Sequence, residues 1–128
     1  LKANVSSNTW PIDCIPDNEM ILDLGPLSLK KVFSVLRACH TIVWNGPIGA
    51  FEIEPFGEGT SAIANEVSFL TETRGIISVA GGGDTLAALN NARIIDRLSY
   101  TSTAGGAFLE WLEGRKLPGI EALSDFKN

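Results

Sequence analysis

The chain has 128 residues, 45% of them hydrophobic, and a formal net charge of −5. These values are typical of one compact globular domain and argue against disorder. No apolar run approaches the ~18 residues that span a bilayer, and Leu1 begins no signal-like segment. Cys14, Cys39 and the single His40 do not have the spacing of a zinc site. We therefore expect a soluble cytoplasmic protein that neither enters a membrane nor holds zinc.

The positive charges are dispersed along the sequence. Most of the ten lysines and arginines fall on predicted helix faces or at the ends of elements, and none lies inside a glycine-rich loop. Nucleic-acid-binding proteins usually gather such cations on one surface. The sequence therefore argues against nucleic-acid binding, and any phosphate site must depend on backbone N–H groups or a metal ion.

The sequence before Met20 is rich in turn residues, which predicts a connecting segment with at most an edge strand. The first clear strand is predicted at residues 20–24, where Gly25 and Pro26 end it, and Ser28 can cap the helix that follows. From here on, short apolar runs alternate with helical periods.

Three further strand and helix units follow in order. A strand at residues 41–44 leads through a long connection to a helix that begins near Thr60. A strand at 75–80 runs into a glycine triplet and a short helix. A strand at 98–102 precedes a helix that Gly114 ends, and we expect Pro118 and the glycine after it to prevent another helix.

This alternation predicts an α/β fold, a three-layer α/β/α arrangement around a parallel sheet. The strands are apolar on both faces, as a sheet covered by helices on both sides requires. Ligands of such sheets bind outside the carboxyl ends of the strands. The unusual loops of this chain all fall at that end.

The glycine triplet at residues 81–83 is a candidate phosphate cradle. Without Cβ atoms the backbone amides can approach an anion, and the helix N-terminus adds partial positive charge. A carboxylate beside a phosphate is unfavourable unless a cation lies between them, so Asp84 is a candidate Mg²⁺ ligand. Thr85 could donate its hydroxyl hydrogen to a phosphate oxygen. The alternative is a tight turn in which Asp84 is an ordinary N-cap.

A second glycine loop, residues 102–106, repeats the arrangement on the next unit. Two anion-receptive helix N-termini side by side suggest a phosphoryl group that passes between them, because such transfer depends on positioning and charge stabilisation. The alternative is two glycine-rich turns that only allow helices to pack closely. Neither loop matches the G-x-x-x-x-G-K-[ST] pattern, which argues against a P-loop kinase.

The long loop at residues 45–59 offers apolar surface for a flat ring and an early carboxylate. Glu52 is the candidate contact to a ribose. Phe51 and Phe56 are interpreted as packing anchors of the loop, because long ordered loops need a small core of their own. His40 has no Ser or carboxylate at a spacing that would suggest a triad.

At these loops the sequence resembles phosphoglycerate kinase. The resemblance runs from about Met20 to Leu123, over roughly the last third of a full-length enzyme, with the motifs in the family's order and spacing. The segments that carry it are Leu22–Pro26 (LDLGP), Val43–Glu52 (VWNGPIGAFE), Gly81–Thr85 (GGGDT), Ser102–Ala107 (STAGGA), Leu109–Glu110, Leu112–Gly114 and Leu117–Gly119.

The resemblance implies phosphoryl transfer between ATP and 3-phosphoglycerate with Mg²⁺, in glycolysis, by a two-domain monomeric enzyme. Residues 1–128 would form the C-terminal part of its Rossmann-like nucleotide-binding domain. The implied adenosine contacts are Leu22, Asn45, Pro47 and Glu52, and the implied phosphate and metal contacts are Gly82, Gly83, Asp84 and Thr85. Gly83, Gly105 and Gly106 would face the phosphoryl group in transit.

Two departures from the family pattern are visible. Ala104 replaces the first of three glycines, which costs little if its φ is negative, and Tyr100 stands where a histidine is common. The family's basic residues around the acyl phosphate and its 3-phosphoglycerate pocket have no match in this chain. We therefore expect the isolated chain to lack kinase activity.

Two other classes of protein are alternatives to an enzyme fragment. A non-catalytic nucleotide-binding or interaction module could retain the same scaffold. A dinucleotide-binding dehydrogenase domain is disfavoured, because no G-x-G-x-x-G follows a strand with an acidic residue about 20 positions later.

Overall fold

The computed structural model describes residues 2–125, which form a three-stranded parallel sheet with helices around it. The strands, in their order across the sheet, are β1 (Thr41–Asn45), β2 (Ile77–Gly81) and β3 (Tyr100–Ser102). The helices are α1 (Pro26–Leu36), α2 (Glu58–Arg74), α3 (Gly83–Asn91), α4 (Gly106–Leu112) and α5 (Pro118–Asp125), with a 3-10 turn at Ile95–Arg97. The predicted α/β fold with a parallel sheet is confirmed.

The register of the sheet aligns the ends of the strands. Asn45 lies opposite Gly81, and Gly81 lies opposite Ser102. All three strands therefore stop at one edge of the sheet, which we call the carboxyl rim. The loops that begin there are residues 46–57, the turn at Gly82 and residues 103–105.

One face of the sheet forms the core with α2 and α3. Ile42 and Trp44 of β1 are each 9% exposed, and they pack in one cluster with the apolar stripe of α2 and with Leu89 of α3. Gly75 ends α2 in the left-handed conformation, with φ 64°, that favours glycine at this position. Since α2 and α3 both pack on this face, that packing fixes the positions of their N-termini, which adjoin the carboxyl rim.

The opposite face is only partly covered among residues 2–125. Phe108 of α4 packs so closely on Gly81 that a Cβ there would lie 2.6 Å from the ring. Farther from the rim, Val43 is 51% and Ile77 55% exposed. The apolar character of both faces was predicted correctly, whereas the helices described here cover the second face incompletely.

One predicted feature of the first half is wrong, because residues 20–24 form no strand and Asp23 lies in a bend. Residues 2–19 also contain no strand, which agrees with the prediction of at most an edge strand there. A strand needs a neighbouring strand to complete its hydrogen bonds. Within the described residues, the backbone hydrogen bond that joins residues 20–24 to another segment is an isolated one, from the Ala50 N–H to the Leu22 carbonyl oxygen at 2.8 Å. The other strands shift by two residues or fewer, since Gly75 belongs to the end of α2.

The expectation of no helix after Pro118 is also wrong, because α5 begins at this residue. Proline at the first position of a helix costs no intrahelical hydrogen bond, because a backbone N–H at this position has no partner within the helix. Its fixed φ also suits the first turn. The N–H groups of Ile120 and Glu121 both donate to the carbonyl oxygen of Leu117. Within residues 2–125, no helix has the length and apolarity needed to cross a bilayer.

Candidate functional site

The carboxyl rim brings the two predicted glycine loops together. Because Gly81 pairs with Ser102, the turn after β2 and the turn after β3 leave the sheet from adjacent positions. The expectation that they lie side by side at one edge is confirmed.

The turn at Gly82 and the first turn of α3 form the candidate cradle. Gly82 has φ 96°, a conformation that favours glycine, and a Cβ on it would lie 3.1 Å from the Asn45 Oδ1 atom. A Cβ on Gly83 would meet no atom within 4 Å. The space beside the Gly83 Cα is therefore open at the N-terminus of α3, a position where an anion would be stabilised.

Thr85 links this turn to the loop after β1. Its side chain is buried, and its Oγ1 accepts a hydrogen bond from the Gly46 N–H at 2.6 Å. A hydroxyl that accepts in this way keeps its own hydrogen for another acceptor. This geometry leaves the predicted donation to a phosphate oxygen feasible.

Asp84 lies exposed in the first turn of α3, beside the cradle. The N-cap of α3 is Gly82, so the alternative in which Asp84 caps the helix is not what the structure has. Among the hydrogen bonds and ion pairs found for residues 2–125, none involves the Asp84 carboxylate. That part of the chain also contains no group of three or more acidic, His or Cys side chains able to hold a metal. The residues present fit Mg²⁺ through one carboxylate, with water and phosphate oxygens as the other ligands.

The second glycine turn has an unusual backbone at Gly105. With φ 56° and ψ −129°, this residue adopts a conformation that side chains rarely allow, and α4 begins at the next residue. Cβ atoms on Gly105 and Gly106 would meet nothing within 4 Å. Among residues 2–125, the non-glycine positions with positive φ are Asn4 and Arg93, so Ala104 replaces glycine without strain.

The loop at 46–57 carries two of the four predicted adenosine contacts, Pro47 and Glu52. Pro47 is half-buried, and the Trp44 indole N–H donates to the Gly46 carbonyl oxygen at 2.7 Å. Phe56 is buried, which confirms its predicted role as a packing anchor, whereas Phe51 is only half-buried. The beginning of the loop is thus held firmly beside the cradle.

Glu52 lies farther along this loop and is exposed. It lines an open cavity of about 950 Å³ together with Phe51, Glu58 and Asn91. None of residues 82–85 lines that cavity. The structure therefore brings Asn45, Gly82 and Thr85 together, whereas Glu52 lines a cavity that none of residues 82–85 borders.

Sequence reasoning missed two side chains that organise this region. Asp23 accepts a hydrogen bond from the N–H of Gly59, and Thr60 exchanges hydrogen bonds with the backbone of Ile48. An acidic residue inside an apolar run was the available signal for Asp23. A threonine in the first turn of a helix gave no comparable signal.

The ion pairs of residues 2–125 lie away from the cradle. Arg37 pairs with Glu66 at 2.6 Å, and Arg97 pairs with Glu72 at 2.7 Å. The hydrogen bond to Glu66 raises the pKa of Arg37, while the hydrogen bond from Arg97 lowers the pKa of Glu72. No ion pair in that part of the chain involves residues 82–85 or 103–106.

Comparisons with known proteins agree on one family. The family model of phosphoglycerate kinase matches residues 1–115. The phosphoglycerate kinase of Zymomonas mobilis is 55% identical over 122 residues, which are 95% of this chain and 31% of that protein. The enzyme of Rhodospirillum centenum is 54% identical over the same shares.

Solved structures give the same result. The phosphoglycerate kinase of Coxiella burnetii superposes with a TM-score of 0.88 at 45% identity, over 100% of this chain and 32% of that one. The enzyme of Pyrococcus horikoshii gives 0.69 at 33% identity, over 82% of this chain and 25% of its own. The chain thus spans about 31% of the length of the first of these relatives. It belongs to the phosphoglycerate kinase family.

Proposed function

We propose that this chain supplies the Mg-nucleotide part of a phosphoglycerate kinase site, as the C-terminal part of the nucleotide-binding domain. The reaction is transfer of a phosphoryl group between ATP and 3-phosphoglycerate, with ADP and 1,3-bisphosphoglycerate on the other side. The observation that carries the proposal is the pair of glycine turns on adjacent strands, in which a Cβ on Gly83, Gly105 or Gly106 would meet no atom within 4 Å. Beside the first turn lies the Asp84 carboxylate, for which residues 2–125 supply no hydrogen bond or ion pair.

The residues of the first turn would hold the nucleotide phosphates. The N–H groups at Gly82 and Gly83 would donate to phosphate oxygens, and the Thr85 hydroxyl would use its free hydrogen in the same way. Asp84 would ligate Mg²⁺, whose charge offsets that of the polyphosphate when it is bound. Without a nearby cation, this carboxylate would repel the same phosphates.

The second turn would act on the group in transit. Gly105 and Gly106 would present backbone N–H groups to the phosphoryl oxygens, and Gly83 would do the same from the first glycine turn. Donors already fixed in the folded backbone need no reorganisation as the P–O bond to ADP breaks and the bond to the carboxylate oxygen forms. Leu22, Asn45, Pro47 and Glu52 would contact the adenosine.

The separation of Glu52 from the cradle limits how the adenosine can lie. A nucleotide that reaches both must extend along the 46–57 loop from Thr85 toward the cavity beside Phe51. The 3-phosphoglycerate pocket and the basic residues of the site would come from outside residues 1–128. We propose that the whole enzyme is cytoplasmic and monomeric.

A non-catalytic nucleotide-binding module is the second candidate. It is favoured by the lack of any lysine or arginine within residues 81–85 and 102–106. Most of the rate of phosphoryl transfer comes from charge stabilisation, so a site of this kind could bind a nucleotide without turning it over. In a coupled ADP-forming assay we expect no turnover from the 128-residue chain alone. Turnover of ~1–100 s⁻¹, the range of ordinary kinases, would show that the chain is complete as a catalyst.

Calorimetric titration of Mg-ADP tests the nucleotide site itself. We expect binding that requires Mg²⁺ and that Asp84→Asn weakens about tenfold or more, because the metal loses its protein carboxylate. Asp96→Asn is the matched control, since Asp96 is an exposed acid on the 3-10 turn. Equal affinity with and without Mg²⁺, or no effect of Asp84→Asn, would contradict the assigned metal role.

A further inference from the structure

The 46–57 loop is fixed by side chains that lie outside it. Thr60, in the first turn of α2, is 2% exposed. Its Oγ1 accepts a hydrogen bond from the Ile48 N–H at 2.7 Å and donates one to the Ile48 carbonyl oxygen at 2.6 Å. A single hydroxyl therefore satisfies both backbone groups of the residue that follows Pro47. Leaving buried backbone N–H and C=O groups without a hydrogen-bond partner lowers the stability of the folded state.

Asp23 holds the other side of the same region. One carboxylate oxygen accepts from the Gly59 N–H at 2.8 Å, and the other accepts from the Leu24 N–H at 2.8 Å. The N–H groups of a first helical turn have no partner within the helix, and a carboxylate there also interacts favourably with the helix dipole. Asp23 thus joins the segment containing Leu22 to the start of α2.

The 46–57 loop also packs closely against the segments that contain Asp23 and Thr60. The Ala50 N–H donates to the Leu22 carbonyl oxygen at 2.8 Å. A Cβ on Gly49, whose φ is 69°, would lie 2.6 Å from the carbonyl oxygens of Leu22 and Phe56. A Cβ on Gly59 would lie 2.2 Å from the Asp23 carboxylate. The three segments meet with no room for a methyl group, so displacement of one requires displacement of the others.

We propose that Asp23 and Thr60 are positioning residues for the nucleotide. The inference rests on the proposed function, because the loop they fix directly follows Asn45 and carries Pro47 and Glu52. Neither side chain would touch the nucleotide. Their effect is to hold the adenosine-contacting loop in one position relative to the cradle, which contacts the beginning of that loop through the hydrogen bond from the Gly46 N–H to the Thr85 Oγ1.

The test uses the whole polypeptide that carries this sequence, with Thr60→Val and Thr60→Ser as a pair. Valine keeps the shape and removes both hydrogen bonds, whereas serine keeps the hydroxyl. We expect Thr60→Val to raise the Kd for Mg-ADP about tenfold, and Thr60→Ser to stay within about twofold of the parent protein. Thr73→Val is the control, because this exposed threonine donates to the Phe69 carbonyl oxygen at the other end of α2.

Magnesium diphosphate serves as the second probe, since it occupies the cradle without an adenosine. A positioning role predicts that Thr60→Val changes its affinity by less than about twofold. A purely structural role predicts a lower Tm with the same Mg-ADP affinity in the folded protein. That outcome, or an equal loss of affinity for both probes, would overturn the inference.

Asp23→Asn provides a test that does not depend on the folding of the valine variant. Asparagine retains one acceptor oxygen and places an NH₂ group where the other oxygen accepted a backbone N–H. We expect weaker Mg-ADP binding with little change for magnesium diphosphate. Unchanged Mg-ADP affinity would overturn the role of Asp23. A parent protein that binds neither probe would instead refute the proposed function, and the inference with it.

Discussion

The two faces of the sheet differ in how completely they are covered. Alternate residues of a strand point to opposite faces, so Ile42 and Trp44 are buried against α2 and α3 while Val43 between them is half exposed. On β2, Ile77 is 55% exposed on the same face as Val43. Similar apolar strand residues therefore contribute very differently to stability. The buried face is also the one that places the N-termini of α2 and α3 next to the carboxyl rim.

The largest expected effect comes from one substitution made on each face. Ile42→Ala should destabilise the protein by about 3 kcal/mol, because it leaves a cavity beneath α2. Ile77→Ala, on the neighbouring strand but on the exposed face, should cost less than about 1 kcal/mol. Denaturant titration of both variants measures the difference. Equal losses would show that the second face is as well packed as the first.

A smaller effect is expected where α4 touches the second face. Gly81→Ala would place a methyl group 2.6 Å from the Phe108 ring, so the ring or α4 must move. Overpacking of this kind costs about 1–3 kcal/mol. Gly83→Ala is the control, because its methyl would meet no atom within 4 Å and alanine favours the helix. Thermal unfolding of the two variants should rank them in that order, and the reverse ranking would mean that α4 does not pack tightly on β2.

The smallest effect is expected on the solvent side of α2. Arg97 lowers the pKa of Glu72, so the pair stabilises the fold when Glu72 is ionised, and this contribution is lost as the pH falls through the lowered pKa. Glu72→Gln should therefore lower the Tm slightly at neutral pH and not at all in strong acid. High salt should also remove the difference. Glu110→Gln on α4 serves as the control, and a difference that persists in acid would rule out the charge as its cause.

Much of the fold could be predicted because its signals are local. Glycine and proline after short apolar runs marked the ends of β1, β2 and β3 within two residues. A parallel sheet then places every strand end at one edge, which is why the two glycine turns could be expected to meet. The strand predicted at residues 20–24 failed for the opposite reason, since an apolar run does not reveal whether a neighbouring strand is present to pair with it.

The same distinction applies to the candidate site. The glycines at residues 81–83 and Asp84 predict a candidate phosphate cradle through their own chemistry. The hydrogen bonds of Thr85 with Gly46 and of Thr60 with Ile48 join residues that are 39 and 12 positions apart, and no periodicity encodes them. The position of Glu52 outside the cradle depends on how the whole loop folds. Contacts between distant segments had to be observed.

The indole of Trp44 gives this region an intrinsic optical probe. Trp44 as a residue is 9% exposed, whereas Trp10 and Trp111 are 44% and 58% exposed, so Trp44 should emit at shorter wavelength than the other two. Because its N–H is bonded to the Gly46 carbonyl oxygen, a shift of the loop would alter that emission directly. Loop movement in this protein could therefore be followed by fluorescence in real time without an attached dye.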